Sequence, residues 1–379
     1  MIKVLHVTPG LESGGAEMLL AQLVGAMDRD RFENTVISLT DEGPILGRKI
    51  RDRNIALTAL NFPRGIPNPA LVLKLAGEIR RQQPAIVQTW MYHANAVGSI
   101  ACALAGQRKL VWGIHNAKFD ATSFKPQTVR MIYLNKSMSG RFPVKITCSS
   151  DAARTVHAEL GYPESKLVTI MNGIDTDEFV PSTSARAEVR ADLGIDMSTP
   201  VVGMVARYMP QKDHATFIRA AGILHRRRPD VRFVLCGMGV SRETAGLWSA
   251  IVDAGVSDVT MLLGLYPDTT SRLNTAFDVA TSSSAFAESF CIALGEAMAC
   301  GVPCVTTDME GPAALVGDVG IVVPIGDAEA MAAAWEAKLD LSAEARAESA
   351  ERSRRRIIEH FSLKAMVRQY EDLYSGVCG

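Results

Sequence analysis

Short runs rich in Val, Ile and Leu alternate with helical stretches along this whole chain, and the pattern starts twice. Strands are expected near 2–8, 33–39, 55–61, 85–90, 109–115, 145–149 and 166–171. A second series is expected near 200–206, 231–236, 259–263, 278–283, 303–307 and 320–323. Apolar strands separated by helices are the mark of parallel sheets covered on both faces. At 379 residues the chain also exceeds the size at which one core stops growing. The run Pro200 to Ala206 reads as a new first strand, and Pro181-Ser182-Thr183-Ser184 before it reads as a linker. The expected fold is therefore α/β, with two doubly wound, Rossmann-like domains facing across a cleft, over 1–180 and 181–360. Ligands of such sheets bind outside the carboxyl ends of the strands, so functional residues are sought in the strand-to-helix loops of both halves.

Composition narrows the function classes. Hydrophobic content of 47% with 21% charged residues is ordinary for a soluble α/β protein, and a net charge of −1 gives no global attraction to nucleic acid. The seven cysteines form no Cys-x-x-Cys pair and sit mostly in apolar runs, as buried thiols in a reducing compartment do. The chain opens directly on a strand, with no signal-peptide pattern, and no apolar run approaches the about 20 residues needed to span a membrane. A cytoplasmic location is expected, with peripheral contact at the inner face of the membrane left open. Residues 328–356 read as surface helices, on which Arg352, Arg354, Arg355 and Arg356 form a solvated face or touch anionic lipid. Arg226-Arg227-Arg228 reads the same way, and Arg48, Lys49, Arg51 and Arg53 form a denser cluster.

The most informative local pattern is a pair of glutamates, Glu288 and Glu296, in the run Ala287 to Pro303. Glu288 lies in a loop after an apolar strand. Glu296 lies in a helix that ends at Gly301 and Pro303, a glycine stop followed by a breaker. A strand, a turn and a helix start offer free backbone N–H groups and a positive dipole to an anion, while carboxylates on either side accept bonds from hydroxyls. Phosphate on the N–H groups with hydroxyls on the carboxylates describes a nucleotide-sugar. Acidic residues near a helix start are also common in their own right.

Other loops add to this picture. The first strand runs into Gly14-Gly15-Ala16-Glu17, where paired glycines serve either close approach to a ligand or a tight turn. The spacing is not the dinucleotide fingerprint, and Gly237-Met238-Gly239 supplies only a fragment of one, which counts against a nicotinamide dehydrogenase. Arg207 and Lys212 follow the strand 200–206 and suit a diphosphate, or form a solvated pair. His115-Asn116 ends another strand, in a structural role or facing the cleft. Asp175-Thr176-Asp177 has the form of a metal-binding Asp-x-Asp motif, but follows Asn172-Gly173-Ile174 between the halves and is read as turn chemistry.

Together these residues resemble the retaining glycosyltransferases of family 4, with the GT-B fold. The resemblance covers nearly the whole chain. It includes Gly14-Gly15-Ala16-Glu17, His115-Asn116, Cys148-Ser149-Ser150, Asn172-Gly173-Ile174-Asp175, Arg207 with Lys212, and the Glu-x7-Glu run ending Glu-Ala-Met-Ala-Cys-Gly-Val-Pro. It implies that Arg207 and Lys212 hold the donor diphosphate, that Glu296 accepts the ribose hydroxyls, and that Glu288 contacts the transferred sugar. It implies also that backbone N–H groups at Ser289, Phe290, Cys291 and Ile292 hold phosphate, and that His115 lies near the sugar with Gly15 in the loop lining the cleft. The loop Leu263-Gly264-Leu265-Tyr266 would read the base. A last helix over 361–379 would cross back onto the first domain.

The implied reaction moves a sugar from a nucleotide diphosphate-sugar, UDP-sugar favoured, to a glycan or to a polyprenyl- or other lipid-linked acceptor in polysaccharide or glycoconjugate synthesis. Configuration would be retained, with no metal or other cofactor and no nucleic-acid partner. Acceptor choice would lie in loops such as 62–69 and 117–130; the second carries Lys118, Phe119, Phe124 and Lys125. One departure stands out: Ala314 occupies a place where the family often has Glu, so that contact is lost or moved to Glu310. A sugar-nucleotide epimerase would need an acid–base cluster that the sequence does not offer. A degenerate, non-catalytic member would be expected to have lost Lys212 or one of the glutamates.

Overall fold

The computed structural model describes residues 1–12, 15–63, 68–116, 126–266, 270–286 and 288–379. The first half holds strands β1 Ile2–Thr8, β2 Phe32–Ser38, β3 Ala56–Ala59, β4 Ile86–Trp90, β5 Leu110–Ile114, β6 Lys145–Cys148 and β7 Leu167–Thr169. Its helices are α1 Gly15–Ala26, α2 Leu46–Asp52, α3 Pro69–Gln82, α4 Met91–Ala105, α5 Pro126–Ser139 and α6 Asp151–Glu159. The second half holds β8 Val201–Val205, β9 Arg232–Cys236, β10 Thr260–Leu262, β11 Val279–Ser282, β12 Cys304–Thr307 and β13 Ile321–Val323. Its helices are α7 Thr183–Asp192, α8 His214–Arg227, α9 Ala245–Asp253, α10 Thr270–Thr275, α11 Ile292–Ala299, α12 Glu310–Val316, α13 Ala328–Leu339 and α14 Ala343–His360; α15 Leu363–Cys378 closes the chain. Every expected strand is present. None of the described helices is long and apolar enough to cross a membrane.

The chain divides into two compact units, Met1–Gly173 with Leu363–Gly379, and Ile174–Ser362. Each is built on one parallel sheet, ordered β3-β2-β1-β4-β5-β6-β7 in the first and β10-β9-β8-β11-β12-β13 in the second. The order reverses between β1 and β4 and between β8 and β11, which opens a crevice at the carboxyl ends of those strands. Central strands such as β4 and β5 are buried along their whole length, as strands covered on both faces must be.

Local signals set the helix ends. Asn68 caps α3 by accepting the Leu71 N–H at 3.0 Å, and Pro69 sits at its first position, where no donor is needed. In the first unit α3 to α6 cover one sheet face, and α1, α2 and α15 cover the other. Helix α15 buries Leu363, Met366, Val367, Tyr370 and Tyr374, a spacing that keeps one stripe on β1 and α1. Each such side chain contributes about 1.5–3 kcal/mol by leaving water.

Four expectations are corrected. Pro181 to Ser184 is not a linker: Ser182 caps α7, accepting the Ala185 N–H at 3.1 Å, and Thr183 is already helical. The Ser-Thr-Ser run is a helix start rather than a break. Ile174–Val180, placed by sequence with the first half, lies in the second unit, where the Ile174 N–H donates to Phe361 O (2.8 Å) and Arg354 holds Phe179 O (2.8 Å). Helix α13 is not a surface helix, because Met331, Ala332, Trp335 and Leu339 are buried and the Trp335 Nε1–H donates to Thr281 at 2.8 Å. Nor are all the late arginines solvated: Arg354 also donates to Ala299 O and Thr176 O, and Arg356 donates to Leu315 O and Ala314 O. Arg227 and Arg228 pair with Glu329, Glu336, Asp230 and Asp340 at the surface. In the dense first-half cluster, Arg51 pairs with Glu42, Arg48 with Asp52, and Arg53 donates to Ala21 O. The cysteines are all free, and six are buried.

Burial leaves a titration signature. His6, His115, His157 and His214 are each pushed down from 6.5 to about 4 by loss of water. Between those values the unfolded chain binds more protons than the folded one. Stability is therefore complete above pH 6.5 and declines as pH falls toward 4. Melting temperatures across that window should fall steadily, and His157→Gln should flatten the slope; an unchanged slope would show that His157 titrates normally.

Candidate functional site

In the second unit the switch point between β8 and β11 gathers most of the residues singled out by sequence. Strand β8 ends in the segment Ala206 to Asp213, and β11 ends in Ser283 to Cys291. The two segments are tied together: the Ala285 N–H donates to Gln211 O (2.9 Å), and the Ser283 hydroxyl reaches Lys212 O (2.9 Å) and Asp213 O (3.0 Å). Asp213 sits at φ +42 and caps α8, accepting the Thr216 N–H at 3.1 Å. That sharp turn, tolerated by Asp through its local capping bond, brings Lys212 back over the sheet end.

Lys212 Nζ meets the Glu288 carboxylate, which also accepts the Ser284 hydroxyl at 2.9 Å. Their side chains are only 17% and 11% exposed, so this ion pair is largely out of water. Burial opposes the charge on Lys212, but Cys291 and Glu288 outweigh it and hold the ammonium above its usual range. Burial, with Glu288 nearby, pushes the Cys291 thiol up. Cys291 is the cap residue of α11, and its carbonyl accepts from the Leu294 and Gly295 N–H groups, both at 3.1 Å. The N–H groups of the first turn, at Ile292 and Ala293, have no earlier helical carbonyl to meet. Below the pair, β8, β11 and α11 close on a cavity of about 10 Å³, room for about one water. The sheet end is a solid floor.

The other candidates lie at the same edge. Arg207 is exposed directly after β8 and has no ion-pair or hydrogen-bond partner among the described residues. Glu296 projects from α11 and accepts the Thr270 hydroxyl at 3.2 Å. Phe290 is buried and stacks at a tilt on Phe361, with 5.6 Å between ring centres, while Ser289 and Ile292 are half-buried. Leu265 follows β10 and is exposed; its neighbour Gly264, at φ +61, bonds through its carbonyl to the Gly237 N–H (2.7 Å). Gly237 has no alternative, since a Cβ there would stand 2.1 Å from Ala206 O.

Several neighbours were not legible as site residues. Ser283 and Ser284 stand in a serine run after an apolar strand, the only signal available. Gly311 opens α12 so close beneath the loop that a Cβ would lie 2.3 Å from Ser289 O and 2.9 Å from Glu288 O. In the same helix Ala314 is exposed, its carbonyl bonded to Arg356, and Glu310 is exposed at the first turn. The Asp175 carboxylate accepts the N–H groups of Asp177 and Glu178, both at 3.0 Å, which is turn chemistry. No group of three metal-ligating side chains occurs among the described residues.

In the first unit, His115 follows β5 and stacks on Trp90, with 5.3 Å between ring centres and 15° between planes. Held near pKa 4 by burial, it is a neutral hydrogen-bonding group at physiological pH. Trp90 donates from Nε1 to His6 Nδ1 at 3.3 Å and packs on Tyr370 of α15. Tyr92, next to the strand, pairs with Asn116 and with His157 (2.8 Å). Gly15 begins α1. Gly14, the loop 117–125 and part of 62–69 lie outside the described residues.

Removing one member of the Lys212–Glu288 pair strands the other in a poorly hydrated place. Lys212→Met should therefore destabilise the protein by about 1–3 kcal/mol. Adding Glu288→Gln should recover part of that loss. Chemical denaturation of the two single variants and the double variant checks this, and strictly additive losses would mean that the two are not coupled.

Comparison with known proteins identifies the family. Residues 13–178 match the model described as Glycosyltransferase Family 4, and residues 185–356 match that of Glycosyl transferases group 1. The lipopolysaccharide core biosynthesis glycosyltransferase LpsE of Rhizobium meliloti is 27% identical over 98% of both chains. The Escherichia coli UDP-Gal:alpha-D-GlcNAc-diphosphoundecaprenol alpha-1,3-galactosyltransferase is 24% identical over 86% of this chain and 85% of that one. Among solved structures, Anabaena HepE in complex with UDP and glucose superposes with a TM-score of 0.86 at 22% identity, over 99% of this chain and all of that one. With glycosyltransferase models matching both halves, and a fold of two parallel sheets that superposes on HepE, the chain belongs to the GT-B glycosyltransferases.

Proposed function

We propose that the second unit holds a nucleotide diphosphate-sugar, with UDP as the nucleotide, at the β8/β11 switch point. The observation that carries this reading is the meeting of Lys212 with Glu288 beside the start of α11. A cation, a hydroxyl acceptor and free helix N–H groups converge where a phosphate joins a sugar. Arg207, exposed and without a described partner, and Lys212 take the diphosphate. The N–H groups from Ser289 to Ile292 share that load. Glu288 turns from Lys212 to the sugar hydroxyls, Glu296 accepts the ribose hydroxyls, and the backbone near Leu265 meets the base. UDP is favoured because HepE is described with UDP and with UDP-glucose, and the E. coli relative is described with UDP-Gal as donor.

The reaction is transfer with retained configuration. The bond from the anomeric carbon to the diphosphate oxygen breaks as the bond to an acceptor hydroxyl forms on the same face. The acceptor proton passes to the leaving phosphate oxygen. Arg207, Lys212 and the α11 N-terminus stabilise the charge on that leaving group, a task that in other enzymes falls to a metal ion. From the first unit, His115 is assigned to the sugar as a neutral hydrogen-bonding group, and Gly15 to the loop beside the ligand. The acceptor is a glycan or a lipid-linked sugar, the class named for the E. coli relative.

Thermal shifts with UDP, GDP, ADP and CMP test the donor. A nucleotide at 100 times its dissociation constant should stabilise by about 2.7 kcal/mol. UDP alone should do so, Glu296→Ala should remove the shift, and EDTA should leave it intact. Lys212→Ala should remove turnover while the protein stays folded. A shift with GDP and not UDP would overturn the donor assignment, and an inverted anomeric product would overturn retention.

A further inference from the structure

The second unit has a cleft that the β8/β11 site does not use. It lies at the amino ends of β11 and β12, the opposite end of the sheet from Lys212 and Glu288, and holds about 600 Å³. Small-molecule sites commonly occupy about 300–1,000 Å³. Its floor is made by Phe277, Cys300, Val302 and Pro303, all buried. The start of α7 and the first half of α14 form its walls. Toward the cleft α14 presents only Ala343, Ala347 and Ala350 beside Arg346, whereas α13 buries Met331, Trp335 and Leu339. Small side chains leave the space unfilled.

The charges that line the cleft do not balance. Asp278 takes Arg186 on Oδ1 at 2.7 Å, and takes Arg190 at 2.7 Å and the Val201 N–H at 2.8 Å on Oδ2. That carboxylate is satisfied. Arg346 approaches the same Oδ1 only to 3.6 Å, beyond hydrogen-bond range, and its side chain is 42% exposed. Among the described residues its hydrogen bond runs from Nη2 to Leu339 O (2.8 Å), so most of its donors remain for another acceptor. Three guanidiniums on one carboxylate leave an excess of two positive charges. The α14 acids Glu344, Glu348 and Glu351 are exposed, and none of them lines the cleft.

We propose that this cleft binds a small phosphate monoester. Such a phosphate carries about −1.5 to −2 charges at pH 7, which matches the excess. The planar forks of Arg186 and Arg346 meet its oxygens, and the rest of the molecule lies against Val302, Pro303 and Leu341. A carboxylate ligand fits less well, because it brings one charge against two. A purely structural ion cluster explains less, because Asp278 is satisfied without Arg346 and a clamp needs no open volume beside it. Helix α11 runs between the two sites: Cys291 caps it beside Glu288, and Cys300 and Gly301 follow its last turn in the cleft. The inference does not depend on the donor assignment, since no residue of the cleft belongs to the β8/β11 site.

Calorimetric titration of the full chain with glucose 6-phosphate and with glycerol 3-phosphate tests it, with inorganic phosphate and glucose for comparison. At least one ester should bind at a single site, more tightly than inorganic phosphate, and glucose should give no heat. Arg346→Gln should weaken that binding by about tenfold or more. Ala347→Leu narrows the cleft and leaves every charge in place; it should weaken binding too, without lowering the melting temperature. It also keeps the test decisive should Arg346→Gln fail to fold. Lys212→Met should leave ester binding unchanged, which separates the cleft from a phosphate held at the donor site. Absence of binding by both esters overturns the proposal. So does inorganic phosphate binding as tightly as the esters, which would mark an adventitious ion only. Binding lost in Lys212→Met and kept in Arg346→Gln overturns it as well.

Discussion

The pairing of β11 with β8 is the constraint on which the candidate site depends. The two strands are far apart in sequence, yet they hydrogen-bond in parallel, Val279 beside Val202 and Ala280 beside Gly203. Their chains then diverge, one toward α8 and the other toward α11, and the crevice between them holds Lys212 and Glu288. Gly203 permits this pairing at close range, because a Cβ there would lie 2.4 Å from the Phe277 ring. At the other end of the same strands, Asp278 binds Arg186 and Arg190 at 2.7 Å and accepts the Val201 N–H at 2.8 Å. Burial holds the Arg190 guanidinium below its usual range, with Asp278 offsetting part of that, and five bonds to carbonyls satisfy its N–H groups. The sheet is thus clamped below and left open above.

The first unit positions its histidine by other means. His115 has Trp90 on its face, Trp90 has His6 and Tyr370 around it, and His6 has Tyr374 at its edge. Rings from β1, β4 and α15 form one column whose end is the strand-end histidine. Such a column fixes an orientation by packing and by one Nε1–H bond rather than by charge. That is consistent with a residue kept neutral.

The strand pattern made both sheets legible, since each strand is a buried apolar run with little else competing for the assignment. The Glu288–Glu296 spacing was equally legible, because a helix stop at Gly301 fixes where that helix lies. What escaped was tertiary. Pro181 to Ser184 has the composition of a linker and of a helix cap alike, and only Ala185 beneath Ser182 decides between them. Arg354 and Arg356 look solvated in sequence, because carbonyls left over at distant turns give no sequence signal. The same holds for Gly311, whose need to be glycine arises from a backbone more than twenty residues away.

The return of α15 to the first unit has a consequence for how the protein is made. Leu363, Met366, Val367, Tyr370 and Tyr374 complete a core whose other members lie before residue 174. A ribosome delivers that helix only after the whole second unit has emerged. The usual order, in which the amino-terminal domain settles first, is therefore reversed. The second unit is a continuous segment and can close alone, while β1 and α1 wait with an uncovered apolar face. Folding of the first unit is a long-range event by construction, and its nascent form is a natural client for chaperones.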